Sequence, residues 1–380
     1  MREAACTQPL PPNGENAVFI GIWFTNACNL NCTYCYIKEK SDLTISHEKA
    51  MELLSQELSK EGKLVDILFM GAETLTHFEQ MKRIVTAVCA GTWRRRYHFT
   101  ITTNGTLLTE DMKSWFTAHR DVVTMGLSYD GASQAQDRNR CDSSGRIDRD
   151  FFLRTWPMQK WKMTISADTA PYTDKNVIAL HELGVPFSAN AAYEDTAWPE
   201  QAILAYEQAL FRLADYYVAH PEVTPCSLLS MLHTVLDEPE KTVQARYCGA
   251  GDSLYFYDMD GAAYPCHMVS PLVMPREQTL EGRYFAPDTD FADPRCRACP
   301  VKHTCYTCLG TNYLYRGDIR MRDPLHCRLY QAQIRATAHM WLGKLKGRDA
   351  YTAEDKQRIR TLRKLARAFQ SGSIGMGGST

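Results

Sequence analysis

No stretch of the chain approaches the roughly 20 consecutive apolar residues that a membrane-spanning helix needs, so no membrane partner is expected. Residues 1–16 are polar and proline-rich and lack the apolar core of a secretion signal. An excess of charge of one sign is missing as well. Against 43 Lys and Arg stand 44 Asp and Glu, a net −1 over 380 residues, which speaks against a surface built for nucleic acid. These absences predict a cytoplasmic protein. What the chain has in quantity is cysteine, 14 in all. A reducing compartment does not sustain a disulfide framework, so metal or redox chemistry becomes the default reading. Three cysteines fall within residues 28–35 and seven between 248 and 327, leaving Cys6, Cys89, Cys141 and Cys226 outside the groups. Cys6, Cys89 and Cys141 read as structural or incidental.

The hydrophobic pattern predicts strands at 18–24, 64–70, 97–102, 122–128, 162–167 and 185–189. Between them it predicts helices at 46–60 with Ser46 as N-cap, about 77–90, 109–118 capped by Thr109, 148–157 and 174–183. Strands alternating with helices imply βαβ units and a parallel sheet, hence an α/β fold. Six strands fall short of the eight in a closed barrel, so a partial (β/α)6 barrel is expected, with functional residues at the C-terminal strand ends. A long amphipathic helix at 200–219 bridges to a loop-rich, cysteine-dense part. The expected boundaries are an N-terminal extension 1–17, the barrel with its bridging helix 18–224, and a cysteine-rich domain 225–335. C-terminal helices at 336–370 and a flexible tail at 371–380 complete the chain. The last helix carries Lys356, Arg358, Arg360, Arg363, Lys364 and Arg367, a charge run that reads first as a solvated face.

Cys28, Cys32 and Cys35 follow directly on the first strand, in Cys-Asn-Leu-Asn-Cys-Thr-Tyr-Cys. Three soft thiolates on one short loop suit a cubane iron–sulfur cluster. A zinc site would more often use two-residue gaps and a fourth ligand close by. The C-x3-C-x2-C spacing, with the aromatic Tyr36 next, resembles the radical S-adenosylmethionine (SAM) superfamily. The resemblance implies a [4Fe–4S] cluster whose open iron binds SAM, and a 5′-deoxyadenosyl radical from its reductive cleavage. Met70-Gly71-Ala72-Glu73-Thr74 resembles the family's Gly-Gly-Glu-Pro segment, departing from it at Ala72 and Thr74; Gly71 and Glu73 are thereby expected at the SAM ammonium. Thr103-Asn104-Gly105 resembles its Thr-Asn-Gly turn. Ser128-Tyr129-Asp130-Gly131 resembles its Ser-x-Asp-Gly segment, placing Ser128 and Asp130 by the SAM ribose and carboxylate.

The second group reads Cys248, then Gly261-x4-Cys266, then Cys296-x2-Cys299-x5-Cys305-x2-Cys308, then Cys327. It resembles the SPASM domain of radical SAM peptide maturases, with one residue fewer between Cys305 and Cys308. The resemblance implies two auxiliary [4Fe–4S] clusters, three clusters in all. Cys296, Cys299, Cys305 and Cys327 would hold the second; Cys248, Cys266 and Cys308 would hold the first. The first would keep an open iron unless Cys226, otherwise a small buried hydrophobe, closes it.

SPASM proteins mostly modify ribosomally made peptides or proteins. The leading expectation is therefore a maturase that forms a thioether or carbon–carbon crosslink in such a substrate, with flavodoxin or ferredoxin as electron donor. About 17 residues precede the first strand, too few for a leader-recognition domain, so leader binding calls for a separate protein or the barrel's own edge. Three alternatives compete: a sulfatase-type formylglycine maturase, a non-catalytic iron–sulfur electron carrier, and a zinc-stabilised binding module. In the sulfatase-maturing branch a carboxylate follows the cysteine of the G-x4-C unit. Here that position is His267, which reads as a packed residue before it reads as a base.

Overall fold

The structure is a computed structural model describing residues 17–192, 197–230, 248–285, 292–302, 304–305, 307–372 and 374. Expectations for residues 1–16 and most of the tail fall outside these. Along the chain come β1 (Val18–Thr25), α1 (His47–Leu58), β2 (Val65–Gly71), α2 (Phe78–Ala90), β3 (Tyr97–Thr103), α3 (Glu110–Ala118) and β4 (Val123–Leu127). They continue with α4 (Ser133–Asn139), α5 (Arg149–Thr155), β5 (Trp161–Ile165), α6 (Thr173–Glu182), β6 (Phe187–Ala191), α7 (Glu200–Ala219) and α8 (Ser227–Ser230). The remainder is β7 (Leu254–Tyr257), β8 (Ala263–Tyr264), α9 (Pro294–Ala298), α10 (Leu309–Arg316), α11 (Pro324–Leu345) and α12 (Ala353–Gln370). The six expected strands are β1 to β6. Ser46 caps α1 by accepting the Lys49 N–H at 3.1 Å, and Thr109 caps α3 through the Met112 N–H at 3.3 Å.

Two compact units divide the chain. Among the described residues the first holds 17–129, 136–162 and 248–285, and the second holds 130–135, 163–230 and 292 onward. The division does not follow the expected boundary at 224, because β7 pairs with β1 and carries the start of the cysteine-rich region into the first unit.

In the first unit the sheet order is β4-β3-β2-β1-β7-β8, parallel from β4 through β7, with β8 antiparallel at the edge. Alternation along each strand separates two faces. Ile20, Ile22, Phe24, Ile67, Phe69, Phe99 and Ile101 are at most 2% exposed and form one of them. Their rings touch across the sheet, Phe24 to Phe69 at 5.1 Å and Phe69 to Phe99 at 5.4 Å. The intervening positions Asp66, Leu68, Met70, Thr100 and Thr102 stay partly open. An isolated parallel bridge pairs Ser128, just past β4, with Lys162 of β5.

β5 and β6 form a two-stranded sheet, and in the second unit α7 runs parallel to α11. Polar pairs rise together along both helices: Glu200 with Arg328, Glu207 with Arg335, and Asp215 with His339. Between them Tyr206, Leu210, Leu213 and Tyr217 are fully buried. Ile374, within the expected flexible tail, is 7% exposed and its N–H reaches the Ala368 carbonyl at 3.4 Å. No described helix is long and apolar enough to cross a membrane.

Candidate active site

The loop after β1 is held from several sides. Asn29 Nδ2 donates to Thr106 Oγ1 at 2.8 Å, and Asn29 Oδ1 accepts from Asn104 Nδ2 at 3.0 Å. Lys40 Nζ donates to the Leu30 carbonyl and to Asn31 Oδ1. The Thr33 N–H meets the Asn139 carbonyl at 3.0 Å, and the Arg140 guanidinium lies 5.2 Å from the Tyr34 ring centre. Cys28, Cys32 and Cys35 are all half-buried on this loop. Burial raises the Cys28 thiol and pushes Cys32 up to about 11; Arg140 pulls Cys32 down, while Cys35, Cys28 and Cys141 push it further up. The three thiols therefore lie in one another's field. Such a set binds its protons tightly until a cationic group displaces them, and a cubane of thiolate-bound irons is such a group. Among the described residues no trio of His, Cys, Asp or Glu is drawn together closely enough for a single metal ion. Cys141, which read as incidental, accepts the Asn31 N–H at 3.2 Å, one residue before Cys32.

The strand-end residues form a connected polar frame. Gly71 ends β2 at φ +149°, where a Cβ would lie 2.0 Å from the Thr25 carbonyl oxygen. Two residues on, Glu73 is 2% exposed. Its carboxylate accepts the Asn104 N–H at 2.7 Å, the Thr103 hydroxyl at 2.8 Å and the Leu75 N–H at 3.2 Å. Three of a carboxylate's roughly four acceptor positions are thereby filled, and burial still pushes its pKa up. Its visible work is to hold the Thr103-Asn104 turn. Asn104 in turn accepts the Thr106 N–H and hydroxyl, at 3.0 and 2.7 Å. Ser128, 8% exposed, donates its N–H to the Thr103 carbonyl at 2.9 Å. In the second unit Asp130 is 1% exposed and accepts the Thr164 N–H at 2.9 Å.

The open face of the first unit carries a group that sequence reasoning missed. Lys162 Nζ donates to Thr102 Oγ1 at 3.0 Å and has no carboxylate partner among the described residues. Water reaches the side chain, yet protein packed around it pushes the ammonium below the ordinary lysine value. His267, whose ring centre is 5.4 Å from that of Tyr36, is half-buried with Nδ1 unpartnered among the described residues. Burial, with Lys162 adding, brings its imidazole down to about 4. Tyr36 is 37% exposed. The sequence signal for Lys162 was a lone cation opening an otherwise uncharged strand; for Arg140 there was none.

In the second unit Cys296, Cys299, Cys305 and Cys327 line one cavity together with Arg295, Arg322 and Ile374. Burial pushes Cys305 up to about 12 and Cys296 up to about 11, with Arg322 opposing and neighbouring thiols adding in both. Asp293 caps α9 and Asp323 caps α11, the helices that place Cys296 and Cys327. The other expected set is divided between units: exposed Cys248 and buried Cys266 in the first, half-buried Cys308 in the second. Cys226 is 7% exposed, its N–H on the Tyr217 hydroxyl at 3.1 Å, which suits a packed thiol.

Residues 22–153 match the model of the radical SAM superfamily. These residues form a radical SAM domain. Among curated relatives, the cysteine-type anaerobic sulfatase-maturating enzyme of Clostridium perfringens is 26% identical over 130 residues, 32% of this chain and 35% of that protein. An uncharacterized protein of Methanocaldococcus jannaschii is 29% identical over 108 residues, 28% of this chain and 36% of that protein. The chain thus spans about a third of the length of the curated relatives it matches. Among solved structures, native anSMEcpe with bound AdoMet has a TM-score of 0.64 at 15% identity, covering 91% of this chain and 99% of that one. Streptococcus suis SuiB bound to precursor peptide SuiA has a TM-score of 0.53 at 16% identity, covering 81% and 75%. These likenesses show the fold. A radical SAM domain implies a [4Fe–4S] cluster and SAM, and the loop thiols fit that cluster.

Proposed function

We propose that the chain is a radical SAM maturase that modifies a ribosomally made peptide or protein, forming a thioether or carbon–carbon crosslink. Cys28, Cys32 and Cys35 hold the SAM-binding cluster, and Tyr36, Gly71, Glu73, Asn104, Ser128 and Asp130 shape the SAM pocket. When bound, cluster and SAM supply a 5′-deoxyadenosyl radical that takes a hydrogen atom from an unactivated carbon. Glu73 fixes the Asn104 turn against the cluster loop, and the buried Asp130 carboxylate fixes the start of its own turn on β5. At the open face Lys162 Nζ takes up the proton that the oxidised substrate releases. His267, held near 4, is too weak a base for that near neutrality.

Cys296, Cys299, Cys305 and Cys327 hold one auxiliary [4Fe–4S] cluster, and Cys248, Cys266 and Cys308 hold the other. The observation that carries this reading is the convergence of four thiols on one cavity of the second unit, since hydrogen abstraction alone needs only the loop's three. An electron donor such as flavodoxin or ferredoxin and a leader-binding partner belong to the same reading. Formylglycine formation is the second reading. The match to the sulfatase-maturating enzyme favours it, and His267 in place of a carboxylate counts against it.

The test is anaerobic reconstitution with iron and sulfide, then SAM, a strong reductant and the peptide encoded beside the gene. About eleven to twelve irons, as three cubanes hold, with 5′-deoxyadenosine and a peptide lighter by two hydrogen atoms are expected. A Cys-to-aldehyde conversion would select formylglycine. Iron without 5′-deoxyadenosine would select an electron carrier, and zinc in place of iron would overturn the proposal.

A further inference from the structure

Helix α12 presents Lys356, Arg360, Arg363, Lys364 and Arg367 to solvent, and all five are exposed. Their spacing, i, i+4, i+7, i+8 and i+11, is one face of an α-helix, a row about 17 Å long. Lys356, Arg360, Arg363 and Arg367 have no acidic partner among the described residues. The acidic residues of the first turn are turned elsewhere: Glu354 to Arg358, and Asp355 to Arg348. Neighbouring like charges three and four residues apart weaken a helix, so the row works against the element that bears it. A second basic knot adjoins the first turn, where burial and then Arg358 and Arg348 lower the Lys344 ammonium. In a chain of net charge −1, this density of cations is local.

The row also leads somewhere. One turn past Arg367, Gly372 takes φ +68° and Ile374 folds back, with its N–H on the Ala368 carbonyl. Ile374 then lines the cavity of Cys296, Cys299, Cys305 and Cys327, beside Arg295 and Lys302. A protein seated on this face would bring its own redox group to the edge of the four-thiol cavity.

We propose that the basic face of α12 docks an acidic redox protein of the flavodoxin or ferredoxin kind, which delivers one electron at a time to the group held by the four cysteines. The donor's reduced flavin or iron–sulfur centre loses the electron and that group gains it; no bond to the chain forms. This rests on the reading of these cysteines as cluster ligands.

The test compares the reconstituted protein with a variant carrying Lys356→Gln, Arg360→Gln, Arg363→Gln, Lys364→Gln and Arg367→Gln, changes to a good helix former on an exposed face. Photoreduced flavodoxin is the probe, with bleaching of the clusters' visible absorbance and titration of binding as the two readouts. At low salt the variant should be reduced roughly ten-fold or more slowly and bind correspondingly more weakly, and salt should erase the difference. Reduction by dithionite, which needs no docking face, should be equal in both. Equal flavodoxin rates and affinities would overturn the proposal, as would wild-type binding that ignores salt. Should the variant lose the dithionite reaction, charge reversal at Arg360 and Arg363 alone decides by the same readouts. Wild-type protein that holds no cluster to bleach would instead refute the reading beneath, while binding would still be measured by titration.

Discussion

Lys162 is a cation with one hydroxyl for company. Desolvation alone pushes its ammonium below the ordinary lysine value, so it gives up its proton more readily than a free lysine, as the proposed proton acceptor must. Lys162→Met keeps the length of the stem and removes the basic nitrogen. Peptide conversion should then fall by ~10²-fold or more, while 5′-deoxyadenosine still forms from SAM and reductant. The two products, followed in the same reaction by chromatography, separate a proton-accepting role from damage to the SAM pocket. Gly71 makes the opposite kind of claim, about space rather than charge. At φ +149° and with the Thr25 carbonyl oxygen 2.0 Å from a would-be Cβ, no side chain fits without moving β1 away from β2. Gly71→Ala should cost on the order of 3 kcal/mol, read as a lowered denaturant midpoint, and should weaken SAM binding with it. The sequence showed Gly71 through its motif. It could not show Lys162, whose meaning depends on Thr102 standing across from it on another strand.

Helix α1 is tied to β7 through one carboxylate. Glu57 is 1% exposed and accepts from the hydroxyls of Tyr255 at 2.8 Å and Tyr257 at 2.5 Å, with Lys60 at 2.6 Å and Arg283 at 2.8 Å. Burial alone would raise its pKa, but the bonds from Lys60, Tyr257 and Tyr255 together win and hold it below the ordinary 4.5. A carboxyl whose folded pKa is depressed stabilises above its unfolded pKa and loses that contribution as pH falls through the folded value. The melting temperature should thus decline below about pH 4.5, and Glu57→Gln should flatten that decline. At neutral pH the same change should cost about 2 kcal/mol, as loss of bonds to a charged acceptor does. At this scale the sequence was legible wherever the signal is local. The caps Ser46 and Thr109 and all six strands of the βα repeat stand where periodicity put them. It was silent on β7, since four residues, Leu-Tyr-Phe-Tyr, are too few to alternate and the strand's partner β1 lies more than 200 residues earlier. It was silent on α4 as well, because Ser-Gln-Ala-Gln-Asp-Arg-Asn has no apolar face to betray a helix. Glu57 sat unnoticed between Leu54 and Leu58, for its partners belong to a region that read as loop.

Across the molecule the loop thiols and the four-thiol cavity lie in different units, which makes the separate duties proposed for them testable. The loop of Cys28, Cys32 and Cys35 is built entirely within the first unit, braced by Asn29, Asn104 and Lys40. The cavity of Cys296, Cys299, Cys305 and Cys327 is built entirely within the second, on caps and helices of its own. Neither set borrows a side chain from the other, so loss of one should leave the other able to load. Cys296→Ala with Cys327→Ala should therefore lower the iron content by about four and leave 5′-deoxyadenosine formation with dithionite near the wild-type level. Peptide conversion should vanish, because the electron released on substrate oxidation has lost its acceptor. Cys28→Ala with Cys32→Ala should remove about as much iron and abolish 5′-deoxyadenosine itself. Iron analysis and product chromatography on the two variants decide the matter. If the first variant also stopped cleaving SAM, the second unit's thiols would be serving reduction of the loop cluster rather than, or as well as, disposal of the substrate's electron.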